Sequence, residues 1–95
     1  MNLRKEARGR ACTVRLPGIC NHNSETVVLA HIRMPGISGM GIKAPSDLLG
    51  AWSCSACHDA IDRRSNADLD RDYVRLAHFE GMARTIAQLR KEGKV

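Results

Sequence analysis

Two cysteines separated by two residues, in Cys54-Ser55-Ala56-Cys57, constrain this chain more than any other stretch. A tight turn between them places both sulfurs on one cation, and His58 follows directly, so the expected form is a metal knuckle that opens a helix. With Cys57 in the first helical turn, His58 points about 100° away around the axis. It can then serve a different ion. Asp62 stands four residues beyond His58 and shares its helical face. That pairing sets an imidazole beside a carboxylate, and the two can converge on a second, hard cation.

A second cysteine pair lies upstream, in Cys12-Thr13-Val14-Arg15-Leu16-Pro17-Gly18-Ile19-Cys20. Thr13 to Leu16 has strand composition and Pro17-Gly18 is a turn signal, which predicts that Cys20 folds back toward Cys12. Cys12, Cys20, Cys54 and Cys57 then suit a closed tetrahedral zinc site, with His22 as a substitute for Cys20. Two disulfides would use the same residues in an oxidising compartment, and small buried hydrophobes is the plainest reading of the first pair. In 95 residues with one Trp, one Tyr and one Phe, a hydrophobic core alone gives modest stability, which favours a structural metal.

The expected architecture is α+β: a basic N-terminal arm over residues 1–11, then a single zinc-stabilised domain over 12–95 with a C-terminal helix. The basic lead-in has no apolar run behind it, so no secretory signal is expected, and no stretch reaches the length of a transmembrane helix. Reduced thiols imply a cytoplasmic protein with no membrane partner. Fifteen Lys and Arg against ten Asp and Glu leave a net charge of +5. That excess suits a polyanionic partner, nucleic acid above all, although charge alone does not select one.

Thr26 to Ile32 reads as the strongest strand, β-branched at its start and nearly continuously apolar. His31 shares one of its faces with Val27 and Leu29. A hydrogen-bonded core histidine is the plain reading of such a residue, and the nearby Cys57-His58 pattern raises the functional one. Residues 33–45 are too rich in Gly and Pro for regular structure and do not fit a Walker A loop; Arg33 and Lys43 at the ends suit phosphate contacts. Ser46 predicts the cap of a short helical turn over Asp47 to Gly50. Trp52 is expected over the metal site or against the last helix. A helix should run from Cys57 to about Arg64. A second should run from Asn66 to about Lys91 on a stripe of Leu69, Tyr73, Leu76, Ala83, Ile86 and Leu89, with His78 facing solvent. Phe79, Met82 and Met40 offer a surface for a homodimer.

In order, the cysteine pair, the strand ending Leu29-Ala30-His31-Ile32, the loop and Cys54-Ser55-Ala56-Cys57-His58 resemble the zinc-containing HNH endonucleases, whose ββα-metal core is a treble-clef zinc fold. More narrowly, residues 10–91 resemble the small prophage-encoded proteins of the YbcO type. The resemblance implies metal-dependent hydrolysis of DNA phosphodiester bonds. His31 corresponds to the general base, and His58 to a ligand of a catalytic Mg²⁺ or another divalent cation. The cysteines would hold structural zinc outside the chemistry.

This chain departs from that pattern at two places. Many HNH enzymes carry a metal-binding Asp just before the first histidine, where Ala30 stands here. The middle asparagine that orients the base has Asp47 as its nearest polar counterpart, two residues further upstream than usual. Asp62, Asp59 or Asp47 would supply the missing carboxylate, Asp62 with the best helical geometry. The principal rival is a non-catalytic zinc module that binds nucleic acid or a phage protein through the same basic surface. A thiol oxidoreductase ranks third, because no thioredoxin-like βαβ pattern surrounds the CxxC.

Overall fold

The computed structural model describes residues 2–33, 46–63 and 69–95. At its centre an antiparallel pair of strands, β1 (Val28–His31) and β2 (Gly50–Ser53), runs in the register Val28 opposite Ser53 to His31 opposite Gly50. Every residue of β2 is buried, so this strand forms the floor of the core. It was not legible beforehand: Gly50 opens it, where the sequence predicts the end of a short helix. Asp47 and Leu48 form only a turn, with Ser46 Oγ accepting from Leu48 N.

β1 is shorter than the strand expected over 26–32, because Ser24–Thr26 forms a 3-10 turn capped by Asn23. Thr13 to Leu16 is not a strand either. Arg15 takes a positive φ of 51°, which breaks extended pairing, and Gly18 (φ 75°) supplies the left-handed residue of the turn that follows.

Ser53 leads through Cys54 into helix α2 (Ser55–Ile61), which begins two residues before Cys57 and ends at Ile61; its predicted last residue, Arg64, and the predicted start of the next helix, Asn66, lie outside the described residues. The long helix α3 (Arg71–Lys91) is capped by Asp70, whose side chain accepts from the backbone of Asp72 and Tyr73. It crosses β2 and buries Val74, Ala77, His78, Gly81, Thr85 and Leu89.

The expected apolar stripe on α3 is therefore displaced. Tyr73 and Leu76 are among the exposed large side chains, and His78, expected in solvent, is only 5% exposed. Close approach explains the choice of face. A Cβ at Gly81 would stand 3.0 Å from Val14 N, Cα and Cγ2, so α3 lies nearly on the backbone of the cysteine-bearing loop and only small residues fit there.

A buried hydroxyl pair locks this contact. Thr13 Oγ1 donates to Trp52 O at 2.9 Å, and Thr85 Oγ1 lies 2.9 Å from Thr13 Oγ1 and accepts from Trp52 N at 3.0 Å. Thr85→Val keeps the volume but orphans the Trp52 N–H. It should cost about 1–3 kcal/mol in urea unfolding; a loss near zero would show that the hydroxyl is dispensable.

The basic lead-in packs on this core. Helix α1 (Leu3–Glu6) is capped by Asn2, Ala7 is fully buried, and the Arg10 guanidinium lies 4.6 Å over the Trp52 ring. Arg10 also forks onto Glu92 at 2.5 and 2.7 Å, and Lys94 pairs with Glu6 and Glu92, so the two ends of the chain are clamped together.

Arg10 holds the Glu92 carboxyl well below the usual range, and the hydrogen bond from Lys94 lowers Glu6. Both folded values are depressed, so their stabilisation is complete above an unfolded glutamate pKa of about 4.3 and fades as pH falls through the lower folded values. The difference in Tm between the native chain and Glu92→Gln should therefore be greatest near neutral pH and shrink below about pH 4. A pH-independent difference would contradict the linkage.

Candidate metal centre and histidine–carboxylate site

The Pro17-Gly18 turn returns Cys20 to the knuckle, as the spacing requires. The Sγ atoms of Cys12, Cys20, Cys54 and Cys57 all lie within 4.8 Å of one another, with Cys54 Sγ 3.7 Å from Cys20 Sγ, and none is in a disulfide. Cys54 caps α2, its Sγ accepting from Cys57 N at 3.4 Å. His22 contacts Cys20 Sγ through Nδ1 at 3.7 Å but stands outside the four-donor group.

The electrostatics suit a cation at the middle. The hydrogen bond from Cys57 pulls the Cys12 thiol down to about 4, while burial pushes Cys20 up to about 11 and the neighbouring Cys12 pushes Cys57 far upward. One thiolate forms readily and raises the cost of the next. A bound divalent ion relieves that repulsion, so these four sulfurs can hold a metal ion.

The remaining sequence-predicted residues fall into two pairs. His31, at the end of β1, donates from Nε2 to Asp47 Oδ1 at 2.8 Å across 16 residues of chain. Arg4 bonds the same Oδ1 at 3.3 Å. The hydrogen bond from His31, then that from Arg4, lowers the Asp47 pKa, so Asp47 is a carboxylate that fixes the Nε2–H tautomer and leaves Nδ1 as an acceptor.

On α2, His58 Nε2 lies 3.5 Å from Asp62 Oδ2, as the i, i+4 spacing predicts. Asp62 Oδ1 accepts from Arg33 Nη2 at 2.8 Å. Asp59, next to His58 on α2, is half-buried. Four-donor clustering is confined, among the described residues, to the cysteines; His31–Asp47 and His58–Asp62 are two separate pairs.

Two residues tie these pairs together, and neither was singled out for it in the sequence. Arg33, two positions after His31, reaches Asp62 on α2. His78 on α3 donates from Nε2 to Ala30 O at 2.8 Å, bonding the residue just before His31. Burial is the main reason that its pKa is lowered, and the charges of His58 and Arg33 act in the same direction. His78 thus holds the strand end in a setting that disfavours its charged form. The signal for it was present as the helical spacing of Val74, Ala77, His78, Gly81 and Thr85, hidden because these residues are mostly small or polar.

Fold and site together define a small α+β protein with a cysteine cluster able to hold a metal and two histidine–carboxylate pairs. Residues 1–94 match the family described as "Putative nuclease YbcO", and the chain belongs to that family. It is 54% identical over 94 residues to "Putative nuclease YbcO" of Escherichia coli (strain K12), covering 99% of this chain and 96% of that relative. The protein of the same description from Enterobacteria phage 82 matches to the same extent, at 54% identity. A solved structure titled "Structure of a putative bacteriophage protein from Escherichia coli str. K-12 substr. MG1655" superposes with a TM-score of 0.79 at 49% identity, covering 97% of this chain and all of that one.

Proposed function

We propose that this chain is a metal-dependent endonuclease of HNH type that hydrolyses DNA phosphodiester bonds, built on a ββα-metal, treble-clef core. The observation that carries the reading is the His31–Asp47 hydrogen bond, which gives the proposed base a side-chain oxygen able to orient its ring. Family membership supports the substrate class, because the relatives are described as nucleases.

In this reading the four cysteines hold zinc, which fixes the start of α2 and so aims His58. The donor chemistry fits, since tetrahedral zinc takes four thiolates. His58 and Asp62 would hold a hard divalent cation such as Mg²⁺; their 3.5 Å nitrogen–oxygen separation suits adjacent ligands of one ion. When bound, that cation would stabilise charge developing on the phosphoryl and leaving oxygens. His31 accepts the proton of the attacking water at Nδ1, while Asp47 holds the ring and stabilises the imidazolium that results. His78, through Ala30 O, keeps the end of β1 in place.

One observation favours the rival, a zinc module that binds nucleic acid without cutting it. Arg33 already neutralises Asp62, with a guanidinium where a cation would bind. Titrating Mg²⁺ or Mn²⁺ into zinc-loaded protein with supercoiled plasmid separates the two. Ion-dependent nicking or linearisation supports the nuclease; DNA binding without cleavage at any ion concentration overturns it.

A further inference from the structure

A cleft of about 310 Å³ is lined by residues from the chain after β1, the end of α2 and the first half of α3. Its apolar lining comes from Ile32, Ile61, Val74 and Phe79, with His78 beside them, and its arginines are Arg33, Arg63, Arg71 and Arg75. Four guanidiniums around an apolar lining are costly for a small domain to gather, because like charges repel unless an anion joins them. Some of that charge is engaged within the protein: Arg33 holds Asp62, Arg63 donates to Leu69 O at 2.9 Å, and Arg75 lies 5.5 Å over Phe79. Arg71 and Arg75 are exposed, one helical turn apart on the same face of α3.

We propose that this cleft is a nucleotide subsite: it takes one nucleotide of the nucleic-acid strand next to the bond to be cut. Arg71 and Arg75 hold its phosphate, and the apolar lining receives its sugar and base. Size and chemistry agree. The volume sits at the lower end of the roughly 300–1,000 Å³ of small-ligand sites, enough for a single nucleotide but not a duplex. Guanidiniums grip phosphate through paired hydrogen bonds, and an aromatic ring with an overlying arginine offers a stacking face. Position adds a third argument, since Arg33 belongs both to the lining and to the Asp62 contact, which joins the cleft to the site of the chemistry. The subsite rests on the nuclease reading for its substrate, but its binding is measurable without cleavage.

The test is fluorescence anisotropy of a short labelled single-stranded DNA with zinc-loaded protein, without added Mg²⁺, across a salt series. Unlabelled thymidine monophosphate and inorganic phosphate serve as competitors. Arg71→Gln with Arg75→Gln should weaken binding at least about tenfold and reduce the salt slope by about 0.7, the value for one neutralised phosphate on a single strand. Arg90→Gln with Lys91→Gln changes the same charge roughly 22 Å or more further along α3 and should leave affinity near that of the native chain. The nucleotide should compete better than phosphate alone. Equal losses in both double variants, which indicate diffuse charge, would overturn the subsite, as would unchanged binding in the arginine pair. Circular dichroism checks the fold, and the exposed single change Arg71→Glu provides a second reading of the same contact. If the native chain binds through the cleft and no ion elicits cleavage, the nuclease reading fails and the subsite stands.

Discussion

Replacing His31 with Ala should reduce ion-dependent cleavage about 10² to 10⁴-fold, the usual contribution of a positioned general base, while leaving the fold intact. The side chain is 21% exposed and bonds Asp47, itself only half-buried, so little packing is lost. The neighbouring position gives a sharper comparison. Asp47→Asn keeps an oxygen that can accept from Nε2 and supplies the amide expected at the middle HNH position, so much of the activity should survive. Asp47→Ala removes the acceptor and frees the imidazole to rotate, and its activity should approach that of His31→Ala. Single-turnover cleavage of a labelled duplex reads all three. Native rates in His31→Ala would remove the histidine from the chemistry.

Cys57→Ser should leave the protein largely unfolded. Cys57 is completely buried at the head of α2 and belongs to the four-sulfur cluster. Structural zinc in small peptides contributes on the order of 10–16 kcal/mol, comparable to or larger than the roughly 5–15 kcal/mol total stability of a domain. A serine oxygen is a poor replacement for thiolate and leaves three donors around the ion. A strong chelator should have the same effect on the native chain, reversed by added zinc. Far-ultraviolet circular dichroism with metal analysis tests both; a metal-free chain that stays folded would show that packing of α3 on β2 suffices.

The parts of this molecule that depend on local spacing were legible in the sequence. CxxC closes because two residues make one turn, and His58 meets Asp62 because four residues return to the same helical face. The Pro17-Gly18 turn brought the first cysteine pair home for the same kind of reason, although the strand expected before it was broken at Arg15. What depends on tertiary packing was not legible. β2 begins at a glycine and contains Ala51, Trp52 and Ser53, with none of the β-branched residues that mark a strand; its pairing with β1 and burial under α3 impose the extended form.

On α3 the buried face is defined by the fit of Gly81 against Val14 and by hydrogen bonds to Thr85 and His78, so hydrophobic periodicity selected Tyr73 and Leu76 instead. The contact between His31 and Asp47 spans 16 residues, and 34–45 within that interval lie outside the described residues. Its presence was suggested by the resemblance; its atoms, Nε2 and Oδ1, are a result of the fold. The Gly-rich segment and its Lys43 fall in the same interval.

Cleavage of supercoiled plasmid by zinc-loaded protein, stripped of other metals and run beside His31→Ala and His58→Ala of verified zinc content, is the most direct measurement. Nicked or linear DNA that requires added Mg²⁺ or Mn²⁺ and is lost in both variants is the expected result. Cleavage that persists in both variants, or DNA binding by all three proteins with no cleavage under any ion, would contradict a nuclease centred on His31 and His58.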